Sequence, residues 1–331
     1  MRPDIDFVFI IGAARSGTTW LQAMVAAHEL VCSTIDELKL FDFFTVPLER
    51  GWKDLVSLQV ATGGDPNGLA AIWTEDEFYQ FLREIVERVY TQVLANKPDA
   101  TVLLDKAPGY SSHVEHIGRL IPKAKFIHII RDGRDVAASL MAAAQGWGRP
   151  WAPKDVEKAA STWKSLVLAA RQARQYEDRY LEIRYEELLT NGVQVLSQIF
   201  EFMGIPINMQ NVTVIYEKYQ FENMKQAGTG THGFALPKDF FRKGQAGDWR
   251  NSLSPGQRYA FDETAGGLLG TLGYSEASWW CDHEYQRITL PLAATLSSRS
   301  RMKSKAMSTI KRILGLNGQS AFAPSERAQE K

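Results

Sequence analysis

Cysteine and net charge are both scarce in this chain of 331 residues. The two cysteines, Cys32 and Cys281, lie far apart in the sequence, so neither a disulfide framework nor a cysteine zinc site is predicted. The 38 lysines and arginines balance the 38 aspartates and glutamates. This balance argues against a nucleic-acid partner held by general electrostatic attraction.

The N-terminal sequence lacks a long hydrophobic run. The apolar stretch from Phe7 to Ile11 is too short to cross a membrane. Asp4 and Asp6 precede it, where a secretion signal would carry basic residues. A cytoplasmic location is therefore expected. The hydrophobic fraction of 45% is ordinary for a globular protein that buries a sizeable core.

The chain is organised around a glycine-bearing loop. Phe7 to Ile11 is β-branched, aromatic and closed by Gly12, which predicts a buried strand. The loop ends at Gly17, and from Thr18 apolar residues recur at helical spacing. The N–H groups at a helix start and the helix dipole favour negative charge. The sequence therefore predicts an anion site at this loop.

The loop departs from the ATP-binding pattern G-x-x-x-x-G-K-[ST] at one position. Gly12, Gly17 and Thr19 fit the pattern, but Thr18 stands where the lysine belongs. The nearest basic residue is Arg15, whose charge would lie beside the first phosphate rather than reach a triphosphate. The loop thus favours a ligand with one phosphate and a transferring group beside it. An ATP-dependent P-loop small-molecule kinase and a purely structural turn are the alternatives.

Predicted strands and helices alternate along the rest of the chain. Further strands are predicted at Thr101 to Leu104, Lys125 to Ile130 and Tyr180 to Arg184. This alternation predicts an α/β fold, a P-loop-type mainly parallel sheet flanked by helices on both faces, in a single domain. Ligands of such sheets bind at the carboxyl ends of the strands. Arg15, Lys106, Arg131 and Tyr185 follow strand ends, so we expect them to converge on one cleft.

Two glycine-bearing stretches are predicted to be loops, residues 47 to 72 and residues 226 to 248. After about residue 285 the composition changes, and a basic, partly helical or disordered tail is predicted over residues 286–331, after a domain of residues 1–285. Apolar residues within 299–314 fall on one helical face, which is typical of membrane-surface helices. A partly solvated tail is the favoured interpretation of that segment.

Three segments occur in one order along the chain. They are Arg15-Ser16-Gly17-Thr18-Thr19-Trp20, then Arg131 with Ser139 eight residues later, then Arg242-Lys243-Gly244. Together they resemble the motifs of sulfotransferases that use PAPS (3'-phosphoadenosine 5'-phosphosulfate), over roughly residues 5 to 275. The resemblance to cytosolic and bacterial small-molecule sulfotransferases implies in-line transfer of a sulfuryl group from PAPS to a hydroxyl or amine of a small-molecule acceptor, with PAP as the product.

The resemblance also implies which residues bind the cosubstrate. These are Arg15, Ser16, Gly17, Thr18, Thr19, Trp20, Arg131, Ser139, Tyr185, Phe221, Arg242, Lys243 and Gly244. The first six would form the loop for the 5'-phosphosulfate. The later serine, the two later arginines and the lysine would hold the 3'-phosphate through charge-assisted hydrogen bonds. The three aromatic residues would pack around the adenine.

The resemblance assigns catalysis to Arg15, Lys106 and Glu37. Arg15 would stabilise the leaving oxygen electrostatically, because an arginine keeps its proton at neutral pH. Lys106 is expected near the transferring group. Cytosolic members carry a histidine two residues after this lysine, but Pro108 stands there. Other branches use a glutamate after the first helix, and the segment around Glu37 resembles theirs. Apolar neighbours would favour the protonated form of this carboxyl, as a general base requires.

Several features are left open by the sequence. His113 and His116 are the alternative bases. No metal is predicted, because no acidic cluster with metal-ligand spacing accompanies the loop. Residues 36 to 75 and 145 to 153, with Trp147 and Trp151, are expected to line the acceptor pocket and to favour an apolar or ring-containing acceptor. The oligomeric state is open, because the family's Thr-Val dimer segment is missing after Trp249.

Overall fold

A computed structural model describes residues 4–62 and 68–274 of the chain. Its strands are β1 (Asp6–Ile11), β2 (Val31–Ser33), β3 (Val102–Lys106), β4 (Lys125–Ile130) and β5 (Tyr180–Arg184). They form a sheet in the order β2-β3-β1-β4-β5, and every neighbouring pair is parallel. This confirms the predicted α/β fold with a parallel sheet.

Helices follow the strands and flank the sheet. They are α1 (Thr18–Ala26), α2 (Val46–Thr62), α3 (Glu75–Leu94), α4 (Val114–Leu120), α5 (Gly133–Ala143), α6 (Val156–Ala170), α7 (Tyr185–Thr190), α8 (Gly192–Phe202), α9 (Met209–Lys218), α10 (Phe221–Ala227), α11 (Trp249–Ser252) and α12 (Pro255–Thr271). A π-helical turn, Phe41–Thr45, leads directly into α2. Short 3-10 segments include Pro108–Ser112 after β3 and Arg171–Arg179 after α6.

Strand β1 is buried on both of its faces. Phe7, Phe9 and Ile11 pack into a core with residues of α3 and α4. Val8 and Ile10 pack on the opposite face with residues of α1 and α8. A strand covered on both sides has no reason to alternate apolar and polar residues. This explains why the sequence shows one continuous apolar run here.

The prediction of a loop over residues 47 to 72 is wrong, because most of that stretch forms α2. Gly51 lies within the helix, where a side chain would meet only open space. The next residue, Trp52, is buried and stacks on Phe78 of α3 with ring centroids 4.6 Å apart. Burial of a large aromatic side chain outweighs the cost of about 1 kcal/mol for a glycine in a helix.

Some predictions lie outside the described residues. These are the domain boundary at residue 285, the tail over 286–331 and the amphipathic segment 299–314, and they stay predictions. Over 4–62 and 68–274, no helix combines the length and the apolar character that crossing a bilayer requires.

Phe9 lies at the centre of a cluster of aromatic side chains. It is fully buried, and four other rings lie within 6.4 Å of its own, those of Phe41, Tyr90, Tyr110 and Phe126. Truncation would leave a cavity, so Phe9→Ala should lower the free energy of unfolding by about 3–5 kcal/mol in chemical denaturation. The same substitution at Phe44, which is 60% exposed, should change it by about 0.5 kcal/mol or less. Equal losses in the two variants would contradict this role for Phe9.

Candidate active site

The loop between β1 and α1 passes through unusual backbone conformations. The φ angles of Gly12, Arg15 and Gly17 are 148°, 73° and 98°. A Cβ on Gly12 would lie 2.5 Å from the carbonyl oxygen of Ile129, and one on Gly17 would lie 2.7 Å from the ring of Tyr185. Both positions therefore require glycine. Arg15 has no such freedom, and backbone strain of this kind clusters at functional sites.

Helix α1 begins at Thr18 without a side-chain cap, because its N-cap residue is Gly17. Its first turn also contains no acidic residue. Thr18, Thr19 and Trp20 all line a cavity. A helix start that no side chain caps presents N–H groups and the positive end of the dipole to a ligand. The predicted anion site is thus built from the loop and the first turn of α1.

The cavity opens at the carboxyl ends of the strands and has a volume of about 980 Å³. Of the four residues expected to converge on one cleft, Arg15, Arg131 and Tyr185 line the cavity. The expectation is wrong for Lys106, which is fully buried and is not among the lining residues; after β3 the lining begins at Pro108. All of the predicted cosubstrate residues except Ser16 line it. The volume is at the upper end of the range of about 300–1,000 Å³ for small-molecule sites. It leaves room for two ligands side by side.

Ser16 is fully buried behind the loop. Its backbone N–H donates to the carbonyl of Ala13 at 3.0 Å. Its Oγ has no hydrogen-bond partner within the described part of the chain. A buried hydroxyl without a partner is costly in a folded protein, and this one does not line the cavity.

Arg131 is 8% exposed and lies over the ring of Tyr185, with Cζ 4.2 Å from the ring centroid. Its Nη1 donates to the carbonyl of Arg15 at 3.2 Å and its Nη2 to the carbonyl of Gln245 at 3.0 Å. Its buried Nε has no partner among the residues described. The guanidinium therefore joins the first loop to the third motif and keeps one donor unused.

The side chain of Arg15 contacts the second motif. Its Nε donates to Ser139 Oγ at 3.2 Å and its Nη2 to the carbonyl of Phe240 at 2.5 Å. The guanidinium also lies over the rings of Phe240 and Trp147, at 4.5 and 5.3 Å. The resemblance places Arg15 at the 5' end and Ser139 at the 3' end of the cosubstrate. In the structure the two side chains are hydrogen-bonded to each other.

The positive charges at this end of the cavity destabilise one another. Burial and, to a smaller extent, the nearby charges of Arg131 and Arg242 together lower the pKa of Arg15 to about 10. All three side chains line the cavity. Arg15 still carries its proton at neutral pH. A bound anion would relieve the repulsion among three arginines that the protein holds close together.

The third motif is held by a carboxylate that sequence reasoning did not assign. Arg242 and Lys243 each form an ion pair of 2.7 Å with Asp248, which is 5% exposed. Gly244 and Phe221 lie beside this group at the cavity wall. The two basic residues therefore already have an anionic partner. The sequence feature that could have revealed this pairing is Asp248 itself, six positions after Arg242 and five after Lys243.

A second unassigned carboxylate fixes the loop that carries the third motif. Asp135 of α5 is fully buried and accepts from the backbone N–H of Gly247 at 2.7 Å and of Trp249 at 2.8 Å. Burial raises the pKa of Asp135, while Arg131 and these two hydrogen bonds oppose that shift. The loop is thus tied to the helix that follows Arg131.

Lys106 brings the predicted catalytic residues together. It is fully buried, and its Nζ lies 3.0 Å from Glu37 Oε1, 3.3 Å from Asp36 Oδ1 and 3.3 Å from Thr19 Oγ1. Sequence reasoning expected apolar neighbours for Glu37. In the structure its partners are Lys106 and, at 3.6 Å, Lys39. The glutamate and the lysine therefore form one unit beside the first turn of α1.

Asp105 holds this unit in place from inside the core. Its carboxylate accepts from the hydroxyls of Tyr90 and Tyr110 at 2.9 Å and from Thr34 Oγ1 at 3.1 Å. The hydroxyl of Tyr110 in turn accepts from the N–H of Leu40 at 3.1 Å. These bonds tie both ends of the segment that carries Glu37 to β3. Burial is the largest influence on Asp105 and raises its pKa.

The alternative bases pair with carboxylates other than Glu37. His113 Nε2 is 3.3 Å from Asp42 Oδ1. His116 is buried between Thr45, 2.9 Å from its Nε2, and Glu49, 3.0 Å from its Nδ1. Neither histidine is among the described residues that line the cavity. Geometry thus favours Glu37 over both.

The chain matches the model described as "Sulfotransferase family" over residues 7–209, and it belongs to that family. It is 24% identical to Sulfotransferase 2A1 of Rattus norvegicus over 160 residues, which are 43% of this chain and 55% of that protein. It is 36% identical to Sulfotransferase 6B1 of Homo sapiens over 81 residues, 24% of this chain and 26% of that protein. The matches thus span about half of these curated relatives, or less.

Solved structures show the same fold. The crystal structure of mouse sulfotransferase SULT7A1 complexed with PAP matches with a TM-score of 0.52 and 21% identity, over 85% of this chain and 89% of that one. The sulfotransferase domain from the Synechococcus PCC 7002 olefin synthase matches with a TM-score of 0.53 and 21% identity, over 83% and 98%. At this identity the likeness concerns the fold.

The ion pairs of Asp248 should make stability depend on pH. Burial alone would raise the pKa of Asp248, but hydrogen bonds from Lys243, Ser252 and Arg242 outweigh burial and lower it to about 2. An unfolded aspartate titrates at about pH 3.9. The stabilisation is therefore complete above about pH 4 and is lost as the pH falls towards 2.

We expect Asp248→Asn to have a lower free energy of unfolding than the unaltered protein at neutral pH, with a difference that shrinks between about pH 4 and pH 2. Urea titrations at a series of pH values measure it. Asp54→Asn, at an exposed position of α2, is the matched control and should show a smaller difference at every pH. A difference for Asp248→Asn that stays constant down to pH 2 would refute the ion-pair explanation.

Proposed function

We propose that this protein transfers a sulfuryl group from PAPS to a hydroxyl or amine of a small-molecule acceptor and releases PAP. The observation that carries the proposal is the concentration of Arg15, Arg131 and Arg242 in one cavity, which also contains the uncapped start of α1. Two separate anion-binding features in one cavity suit a ligand with phosphate groups at both ends.

The proposed placement of PAPS follows the two features. The start of α1 receives the 5'-phosphosulfate, and Ser16, which the resemblance assigns to the same group, lies buried behind it. Arg131 receives the 3'-phosphate together with Ser139, Arg242 and Lys243, which line the same cavity. Trp20 and Tyr185, whose ring centroids are 5.6 Å apart, provide apolar surface for the adenine. A protein of similar fold that was solved with PAP supports this choice of nucleotide.

In the proposed reaction the acceptor oxygen or nitrogen attacks sulfur in line. A new bond to sulfur forms, and the bond from sulfur to the 5'-phosphate oxygen breaks, leaving its electron pair on PAP. Glu37 takes the proton from the acceptor. Lys106, which contacts both Glu37 and Thr19, stabilises the negative charge that develops in transfer. The resemblance assigns the same role to Arg15, whose guanidinium contacts Ser139 and Phe240 in this structure. The expectation that no metal is required stays a prediction, as does the cytoplasmic location.

A P-loop kinase is not favoured. Thr18 stands where such an enzyme has its lysine. The basic residue of the loop, Arg15, is directed towards Ser139 and Phe240. Membership of the sulfotransferase family also argues against it.

Nucleotide binding tests the proposed cosubstrate. PAP should raise the thermal midpoint more than AMP, and ATP with magnesium should raise it little, because only ligands of the folded state stabilise it. Lys243→Gln should weaken PAP binding about tenfold while leaving AMP unchanged, through loss of one charge-assisted contact. Lys123→Gln, at an exposed position, is the control. Stabilisation by ATP with magnesium but not by PAP would overturn the assignment.

Turnover tests the proposed base. Glu37→Gln should lower kcat at least about 100-fold, because a positioned general base contributes about 10²–10⁴-fold. Calorimetry should find PAP affinity unchanged, which separates chemistry from binding. Glu29→Gln, at an exposed position, should retain full activity. If Glu37→Gln keeps its turnover, the base is another group and His113 becomes the first candidate.

A further inference from the structure

The cavity has two ends of opposite charge. One end carries the cations of the proposed cosubstrate site. The other, here called the acceptor end, is lined by Asp36, Glu37, Lys39, Asp42 and Phe43. The carboxylates of the acceptor end contact Lys106, Lys39 and His113, and none of the arginines at the other end. The acceptor therefore meets an environment with an excess of negative charge.

The excess can be assigned to one carboxylate. Glu37 pairs with Lys106 at 3.0 Å and with Lys39 at 3.6 Å, and Asp36 pairs with Lys106 at 3.3 Å. Two acids are thus balanced by two lysines. Asp42 has His113 as its basic neighbour, at 3.3 Å, and within the described part of the chain it forms no ion pair with a lysine or an arginine. Asp42 is thus the carboxylate of the acceptor end that no lysine or arginine balances.

The backbone positions Asp42 at the cavity wall. It belongs to the π-helical turn Phe41–Thr45, and such turns are frequent at functional sites. A Cβ added at Gly109 would collide with its carboxylate, so the two segments meet closely there. Gly109 follows Lys106 by three residues. The segment of Asp42 therefore packs against the segment that follows Lys106.

Large apolar side chains line the same cavity and are exposed. Phe43 is 68% exposed, Trp151 is 50% exposed and Phe234 is 42% exposed. Trp147 lies between Trp151 and Phe240, with ring centroids 5.5 and 5.1 Å away. Exposed apolar surface in a cavity marks a ligand site. Trp147 and Phe240 also lie over Arg15, whereas Phe43 directly follows Asp42 in the sequence. An aromatic face beside a carboxylate is the chemistry that recognises an organic ammonium group.

We infer that the acceptor is a hydroxyl compound with a ring or other apolar body and a protonated amine, and that Asp42 binds the ammonium group. This inference rests on the proposed function and names its substrate class. Glu37 faces the reacting hydroxyl, and the aromatic side chains enclose the apolar body. A carboxylate in place of the ammonium group is repelled, and a neutral group gains no charge contact.

Binding of three matched probes to the full chain saturated with PAP tests the inference without requiring turnover. The probes are 2-phenylethylammonium, 2-phenylethanol and 3-phenylpropionate, which share a ring and differ in charge. Calorimetry should find the ammonium about tenfold tighter than the alcohol, as one charge-assisted contact implies. The carboxylate should bind most weakly. Equal affinities, a preference for the alcohol or carboxylate, or no binding of any probe would overturn the inference.

Substitution identifies the carboxylate. Asp42→Asn should bring the ammonium to within about twofold of the alcohol and leave the alcohol unchanged, because it removes one charge-assisted contact worth roughly tenfold in affinity. Asp54→Asn, outside the cavity lining, should keep the full preference. An ammonium preference that survives Asp42→Asn overturns the role of Asp42. If Asp42→Asn fails to fold, the ranking of the probes by the unaltered protein still decides the charge of the site.

The outcome is separable from that of the proposed function. If PAP binds no better than AMP, the sulfotransferase proposal fails, and the same titrations on the free protein still measure the charge preference. If PAP binds as expected and the probes show no preference for the ammonium, only the inference fails. If both proposals hold, PAPS should sulfate tyramine, 4-ethylphenol and 3-(4-hydroxyphenyl)propionate at rates that follow the order of binding, with the amine fastest.

Discussion

Repulsion among Arg15, Arg131 and Arg242 is the constraint on which this end of the molecule depends. Like charges held this close raise the free energy of the folded state unless the surroundings compensate. The protein compensates with backbone carbonyls, which accept from Arg15 and Arg131, and with Asp248, which pairs with Arg242. Three of these acceptors, on Phe240, Gln245 and Asp248, belong to the loop between α10 and α11. The arginines that suit an anionic ligand therefore also hold this loop at the cavity.

Two buried carboxylates fix the positions of the segments that surround the cavity. Asp135 fixes the loop of the third motif through two backbone N–H groups. Asp105 fixes the segment of Glu37 against the strand of Lys106 through Thr34 and Tyr110. Each acid accepts several hydrogen bonds, as a buried carboxylate must. Neither needs to touch a ligand to matter, because each determines the position of residues that line the cavity or contact its lining.

The sequence was sufficient for the parts that depend on local pattern. The apolar run of β1, the glycine loop and the strand-end position of Arg131 follow from spacing, and their convergence follows from parallel topology. The helix over Val46–Thr62 was missed, because its stability comes from Trp52 stacking on a distant helix. The ion pairs of Lys106 were missed for the same reason, since its partner Glu37 lies about seventy positions away.

Lys106 lies between the two ends of the cavity, which differ in charge. On one side it contacts Thr19, at the positive start of α1. On the other it contacts Asp36 and Glu37, at the beginning of the acceptor end. The sign of the local charge changes across this one buried side chain. In the proposed reaction the sulfuryl group leaves PAP as an anion and joins an acceptor that loses its proton. A cation placed between the PAPS site and the acceptor site, such as Lys106, lowers the electrostatic free energy of that transfer.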